Sequence, residues 1–299
     1  MSESLHVIAN AHSHSGENAE DELRKALKAA GVEATLHMVD DPAKLDDVIA
    51  RAIAAKPRCI VAAGGDGTVN AVAKHAIEAG VTLGVLPAGT LNHFARDLGL
   101  PDDLEAAARV LTEGEMREVD VGEVNGNLFL NNSSLGLYAQ MVAHRDQIQS
   151  RRHLGKWSAL VQASWHALRR PQAFSVVLHA DGEELRRYTP FVFVGNNDYV
   201  VQGPHAGERA CLDDGVLSVY VLRPHTTWGL ISLALRALIG RVSDRRDLDA
   251  IATTSLVVES GKHSVRLARD GEVEMTDSPV RFRVMPRALK VLAPRPEPA

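Results

Sequence analysis

Apolar residues in the first 121 positions follow two alternating rhythms. Short continuous runs, Leu5 to Ala9, Thr35 to Val39, Cys59 to Ala63 and Leu83 to Pro87, have the length and composition of buried strands. Between them the spacing becomes helical. Leu23, Leu27 and Ala30 share one face before Gly31, Leu45, Val48, Ile49 and Ala52 share another within Lys44 to Ala55, and Val69 to Ala79 closes at Gly80. Pro101-Asp102-Asp103-Leu104-Glu105 predicts a helix start, with Asp102 as cap and Glu105 completing a capping box, and the helix runs to about Leu111. Strands alternating with helices predict a doubly wound parallel sheet.

The rhythm changes after Gly122. Val124-Asn125-Gly126-Asn127, Asp181-Gly182 and Asp270-Gly271 read as hairpin turns. Short runs such as Phe174 to Leu178, Phe191 to Gly195, Val216 to Leu222, Ser255 to Val258 and Val280 to Val284 are separated mostly by turns, which predicts a mainly antiparallel β half. Trp157 to Leu168 and Thr227 to Ile239 are helical interruptions, and Ala288 to Leu292 is apolar enough to return to the first half before a proline-rich tail. The expected division is 1–121 with 286–299 as an α/β domain, and 122–285 as a β-rich one.

Composition narrows the class. With 45% hydrophobic residues in 299, the chain can bury two cores, and a net charge of −5 offers no general support for nucleic-acid binding. The two cysteines, Cys59 and Cys211, have no zinc spacing and suit reduced thiols in a cytoplasmic protein. Neither a signal peptide nor a stretch long enough to span a bilayer is read, although contact with a membrane surface stays open.

The chemistry centres on Gly64-Gly65-Asp66-Gly67-Thr68-Val69-Asn70, a glycine-rich link from strand to helix. Glycines accept positive φ and leave no Cβ in the way, so backbone amides can close around a phosphate at the helix start. A bare tight turn is the plainer alternative. A second small-residue loop, Ala88-Gly89-Thr90-Leu91-Asn92, again follows a strand. Thr90 suits a helix cap as well as a ligand contact.

Together with Phe94-Ala95, Val119-Asp120-Val121-Gly122, Leu212-Asp213-Asp214-Gly215-Val216-Leu217 and Asp270-Gly271-Glu272, these stretches resemble, in order, the bacterial diacylglycerol kinase and soluble lipid kinase family, which shares its catalytic domain with sphingosine and ceramide kinases. The resemblance covers nearly the whole chain. It implies an ATP-binding α/β domain, a β-sandwich lipid domain and an active site between them. It also implies magnesium, a lipid partner, a homodimer and a cytoplasmic location, peripheral to the inner membrane where the lipid lies.

Carried onto these positions, the resemblance assigns nucleotide phosphates to Gly64, Gly65, Asp66, Gly67, Thr68 and Asn70, with Gly89, Thr90 and Asp40 as further contacts. Asp66 beside phosphates requires a cation between them, and the family places Asp66 and Asp120 around a catalytic magnesium. A structural magnesium would be held by Asp214 with the carbonyls of Cys211 and Val216. Glu272 is the implied base for the lipid hydroxyl, with Asp270 as its partner or a metal-side carboxylate. On the bare residues, Asp213-Asp214-Gly215 reads equally as a turn, and for Asp270-Gly271 a type I′ turn is the stronger reading.

Two stretches depart from the family. His93 stands where the second loop usually carries an aspartate of the magnesium network, and a histidine cannot replace a carboxylate at a hard cation. The loop Asn10 to Gly16 lacks the usual Asn-Pro, and its His12 and His14 suit exposed side chains more than a metal site. Arg145, Arg151, Arg152, His153, Lys156, Arg169 and Arg170 flank the Trp157 helix, and Arg241, Arg245 and Arg246 follow the other. Both groups fit an anionic membrane surface or ordinary solvated arginines. The alternatives to a lipid kinase are a catalytically weak nucleotide- or lipid-binding regulator of the same fold and a soluble-metabolite kinase resembling NAD kinase.

Overall fold

The computed structural model describes residues 4–11, 19–136, 173–200, 208–209, 211–223, 226, 229, 232 and 247–295. The chain forms two compact units, Met1–Val121 with Pro286–Ala299, and Gly122–Met285.

The first unit is α/β. It contains β1 (Leu5–Asn10), α1 (Ala19–Ala29), β2 (Ala34–Val39), α2 (Leu45–Ala54), β3 (Cys59–Gly64), α3 (Asp66–Ala79), β4 (Thr82–Pro87), α4 (His93–Asp97) and α5 (Leu104–Glu113), and β5 (Glu115–Val124) leads out of it. The strands are parallel in the order β2-β1-β3-β4. Every residue of β3 is buried, as expected for a central strand covered on both faces. One face packs Leu5, Val7, Val61 and Leu86 against Leu23 and Leu27 of α1 and Ala107, Ala108 and Leu111 of α5. The cap of α5 is Asp103 rather than the expected Asp102. Its Oδ1 accepts the Ala106 amide at 2.8 Å, because three residues of spacing reach the third helical N–H from Asp103 and not from Asp102.

The second unit is an antiparallel β-sandwich. Its strands are β6 (Asn127–Phe129), β7 (Asn132–Gly136), β8 (Phe174–Ala180), β9 (Glu183–Thr189), β10 (Phe191–Asn196), β11 (Leu217–Leu222), β12 (Leu248–Thr253), β13 (Ser255–Ser260), β14 (Ser264–Arg269), β15 (Glu272–Asp277) and the first part of β16 (Val280–Ala293). One sheet runs β12-β11-β10-β7-β14-β15, and β16, β13, β8 and β9 form the facing one. Alternate residues of both sheets, among them Leu135, Val194, Val219 and Leu267 from one and Leu178, Leu256 and Phe282 from the other, fill a common core. Asn125-Gly126, Asp181-Gly182 and Asp270-Gly271 each have positive φ at both residues, the geometry that two-residue hairpins require.

The two sheets are also joined by charge. Asp249 on β12 takes Arg187 of β9 at 2.7 Å and Arg223 at 2.7 Å. Hydrogen bonding from Arg187, helped by Arg223 and opposed by burial, lowers the Asp249 carboxyl to about 2. The end of β16 returns to the first unit, where Val291 pairs with Leu83 of β4 in parallel. The helices expected at Trp157 to Leu168 and Thr227 to Ile239, their flanking arginines and His12 to Gly16 lie outside the described residues, apart from Gly229 and Ser232. No helix among the described residues is long and apolar enough to cross a membrane.

Candidate functional site

The glycine turn sits at the carboxyl end of β3. Gly65 is the N-cap of the 14-residue α3 and supplies no side-chain cap to the helix's opening amides. Those amides and the helix dipole make an anion-accepting edge at the place where open α/β sheets bind ligands.

The glycines serve this edge differently from the expectation. Gly64, Gly65 and Gly67 all lie outside the positive-φ region, and Gly65 is extended at φ −86°, ψ −177°. What requires glycine is close approach. A Cβ on Gly64 would lie 2.6 Å from Thr68 Oγ1, and one on Gly89 would lie 2.4 Å from the Gly65 Cα. The two loops therefore touch backbone to backbone. Asn92 fixes the second loop from within, its Oδ1 accepting the Gly89 amide at 2.9 Å and its Nδ2 donating to the Gly89 carbonyl at 3.1 Å.

The expected residues divide into several roles. Thr68 is buried and folded onto Gly64, so its side chain supports the turn. Asn70 has a buried Oδ1 with no hydrogen-bond partner, an orphaned polar atom on the first turns of α3. Thr90 is exposed and caps nothing; Asn92, at φ 50°, holds the cap position of α4. Asp66 Oδ1 accepts the Phe94 amide at 3.4 Å, linking α3 to α4, and His93 is the exposed residue just before that amide. Asp120 is buried and accepts the Arg287 amide at 2.7 Å, tying β5 to the returning chain. Asp40 is exposed just beyond β2, and since β1 separates β2 from β3, it stands two strand spacings, roughly 10 Å, from the glycine turn.

In the second unit, Asp270 is the most heavily committed side chain. Its carboxylate accepts the amides of Leu130 at 2.7 Å, Asn131 at 2.9 Å and Asn132 at 3.0 Å. Burial raises its pKa, while those three amides and the Arg209 guanidinium pull the other way. Glu272, two residues on at the start of β15, is exposed. Asp270 is thus bound to the backbone rather than offered to Glu272 as a partner. Asp214 is exposed beside Gly215 at φ 71°, and the Cys211 thiol donates to Asp213 Oδ1 at 2.7 Å. The Val216 carbonyl already accepts the Asn197 amide at 3.0 Å, and the fully buried Asn197 has no partner for its side-chain amide.

Residues 4–124 match the diacylglycerol kinase catalytic domain, and residues 133–293 match the YegS C-terminal NAD kinase beta sandwich-like domain. A protein of Pseudomonas aeruginosa named "Probable lipid kinase YegS-like" is 30% identical over 95% of this chain and 94% of its own length. The chain belongs to this lipid kinase family. A diacylglycerol kinase of Staphylococcus saprophyticus is 27% identical over 66% of this chain and 64% of its own. The crystal structure of a Bacillus anthracis diacylglycerol kinase has the same fold, with a TM-score of 0.71, 21% identity and 97% of each chain covered.

Two separate donor sets suit the chemistry of magnesium: the Asp66 and Asp120 carboxylates in the first unit, and the Asp214 carboxylate with the Cys211 and Val216 carbonyls in the second, all hard oxygen donors. Among the described residues no three histidine, cysteine or acidic side chains form a ready metal cluster. Two carboxylates already accept backbone amides. Phosphate oxygens and water would have to complete such a site.

Sequence reasoning overlooked Asn131, Asn196, Tyr199 and Arg209. Arg209 is buried, donating to the Leu130 carbonyl at 2.7 Å and to Asn131 Oδ1 at 2.9 Å. The available signal was a pair of Asn-Asn dipeptides, 131–132 and 196–197, each ending an apolar run where a strand would otherwise continue.

Proposed function

We propose that the chain is an ATP- and magnesium-dependent lipid kinase that phosphorylates a hydroxyl of a diacylglycerol-like lipid. The observation that carries this reading is the open amide edge of α3, backed by Gly65 and Gly89 in contact, with an unpartnered Asn70 oxygen on the same helix. Nucleotide phosphates would be held by these amides in the first unit, and the second unit would take the lipid. Magnesium, when bound, neutralises phosphate charge, and Asp66 and Asp120 are its proposed holders. Asp214 with the Cys211 and Val216 carbonyls is the proposed second, structural site.

In the reaction the lipid hydroxyl oxygen forms a bond to the γ-phosphorus, the bond from that phosphorus to the ADP oxygen breaks, and the hydroxyl proton passes to the Glu272 carboxylate. Little covalent work is asked of the protein beyond alignment, charge and this proton. An exposed carboxylate at the head of β15 is suited to meet an incoming hydroxyl. A second reading, a nucleotide-binding regulator with weak turnover, is favoured by His93. That residue adjoins the amide held by Asp66, where a further carboxylate would strengthen cation binding.

Transfer of radiolabelled phosphate from ATP into a total lipid extract tests both. Label in one lipid that disappears in Glu272→Ala supports the kinase and identifies its substrate. A silent wild type with an active His93→Asp variant supports the regulator. If neither transfers label while nucleotide still binds, the kinase reading is wrong and a regulator without turnover remains.

A further inference from the structure

Three consecutive residues, Leu130 to Asn132, carry the chain from β6 into β7, and every backbone polar group among them is hydrogen-bonded. Their amides go to one side, to the Asp270 carboxylate. Their carbonyls go elsewhere. The Leu130 carbonyl accepts Arg209 Nη1 at 2.7 Å and Asn196 Nδ2 at 3.0 Å. The Asn131 carbonyl accepts the Asn196 amide at 2.9 Å and the Tyr199 hydroxyl at 3.0 Å. The Asn132 carbonyl accepts the Asp270 amide at 2.9 Å.

Arg209 also donates to Asn131 Oδ1 at 2.9 Å and to the Asn196 carbonyl at 3.4 Å, and its guanidinium lies 5.9 Å from the centre of the Tyr199 ring. The buried Arg209 thus faces the Leu130 carbonyl while the half-buried Asp270 carboxylate faces the Asn131 amide of the same peptide group. The dipole of that peptide is aligned to stabilise both charges.

We propose that Arg209 is a positioning residue for phosphoryl transfer: it clamps the Leu130–Asn132 link from the carbonyl side, and through Asp270 this clamp fixes the turn that presents Glu272. The proposal rests on the lipid kinase reading for its catalytic consequence. The two-residue turn, with φ 45° at Asp270 and 86° at Gly271, is closed by the pairing of Arg269 with Glu272, and Asp270 ties it to the rest of the sandwich. Asp270 is the anchor, and the link that holds Asp270 is itself held by Arg209. A buried charge pair is seldom the most stable way to fill such space, so its value here lies in fixing one geometry. Loss of the guanidinium frees the link, and Glu272 then spends less time aligned with the acceptor hydroxyl.

The test uses the full chain as Arg209→Lys and Arg209→Met, with folding checked by circular dichroism. Activity is followed in the radiolabel assay across pH. The expected result for Arg209→Met is a kcat about 10- to 100-fold lower with an unchanged KM for ATP, and an acidic limb of the pH profile shifted upward because Asp270, the anchor, loses the cation that opposes its protonation. Arg209→Lys keeps the charge but not the fork, so it should recover the pH profile and only part of kcat. A folded Arg209→Met with unaltered kcat overturns the proposal, as does a lowered kcat with an unmoved pH profile. If Arg209→Met does not fold, Arg209→Lys carries the same comparison, and full activity in it overturns the clamp.

Hydrogen exchange separates this proposal from the kinase reading. Whether or not wild type transfers phosphate, the amides of Leu130, Asn131 and Asn132 should exchange about ten-fold faster in the variant than in wild type. Unchanged protection overturns the clamp independently of any activity. Faster exchange in a protein that phosphorylates no lipid keeps the clamp and removes the kinase.

Discussion

The glycine turn of the first unit and the Asp-Gly turn of the second solve opposite problems with similar short sequences. At Gly64-Gly65-Asp66 side chains are withheld, the helix opens without a side-chain cap, and backbone donors stay available. At Asp270-Gly271 a side chain is driven inward, and three amides are consumed by one carboxylate. An edge that is to receive an anion must leave its donors uncommitted, whereas a turn that is to aim a side chain must commit them. The same residue types therefore carry different work depending on whether the local backbone is open or closed.

The contrast breaks most sharply at Asp270. Replacing it by alanine leaves three amides without their acceptor and removes the anion that offsets the Arg209 charge, and should cost roughly 3–5 kcal/mol of unfolding free energy in the second unit. Denaturant unfolding followed separately for the two units would show the loss confined to Gly122–Met285, and an equal loss in the first unit would defeat the explanation.

The open turn should fail in another manner. In Gly89→Ala the new Cβ would meet the Gly65 Cα at 2.4 Å, and neither backbone can yield as a flexible side chain would. About 1–3 kcal/mol of overpacking is expected. Nucleotide affinity should weaken as the α3 edge shifts, which calorimetric titration with ATP would detect. Unaltered affinity would mean that the contact between loops does not shape the edge.

The smallest effect concerns a charge rather than a turn. Asp249, depressed to about 2 by Arg187 and Arg223, contributes stability above its unfolded pKa of about 3.8 and loses it as pH falls toward 2. Its side chain is only partly shielded, so about 1 kcal/mol or less is expected, and Asp249→Asn should flatten the unfolding free energy between about pH 4 and 2. A slope that survives the substitution would assign that acid sensitivity to other carboxylates.

The candidate site was legible where its chemistry is local. Gly64 to Asn70 announces a strand-to-helix turn, and Asn125-Gly126, Asp181-Gly182 and Asp270-Gly271 announce hairpins, because each depends on backbone freedom within two or three residues. The expectation of positive φ at Gly64 and Gly65 did not hold; the demand for glycine at Gly64 comes from Thr68, and at Gly89 from Gly65, more than twenty residues away. Asp102 was favoured over Asp103 as a cap because both types suit the position, and only the registered distance to Ala106 separates them.

Arg209 was invisible for a related reason. Nothing in its own neighbourhood hints that its guanidinium meets a link some eighty residues earlier, whose other side is held by Asp270. By itself the sequence determined the class of each half, the order of motifs that places the chain among lipid kinases, and the turns whose geometry is written in glycine and asparagine. Tertiary structure decided which polar groups are spent and which remain open, because that depends on hydrogen bonds between residues far apart in the chain, where periodicity and propensity carry no information.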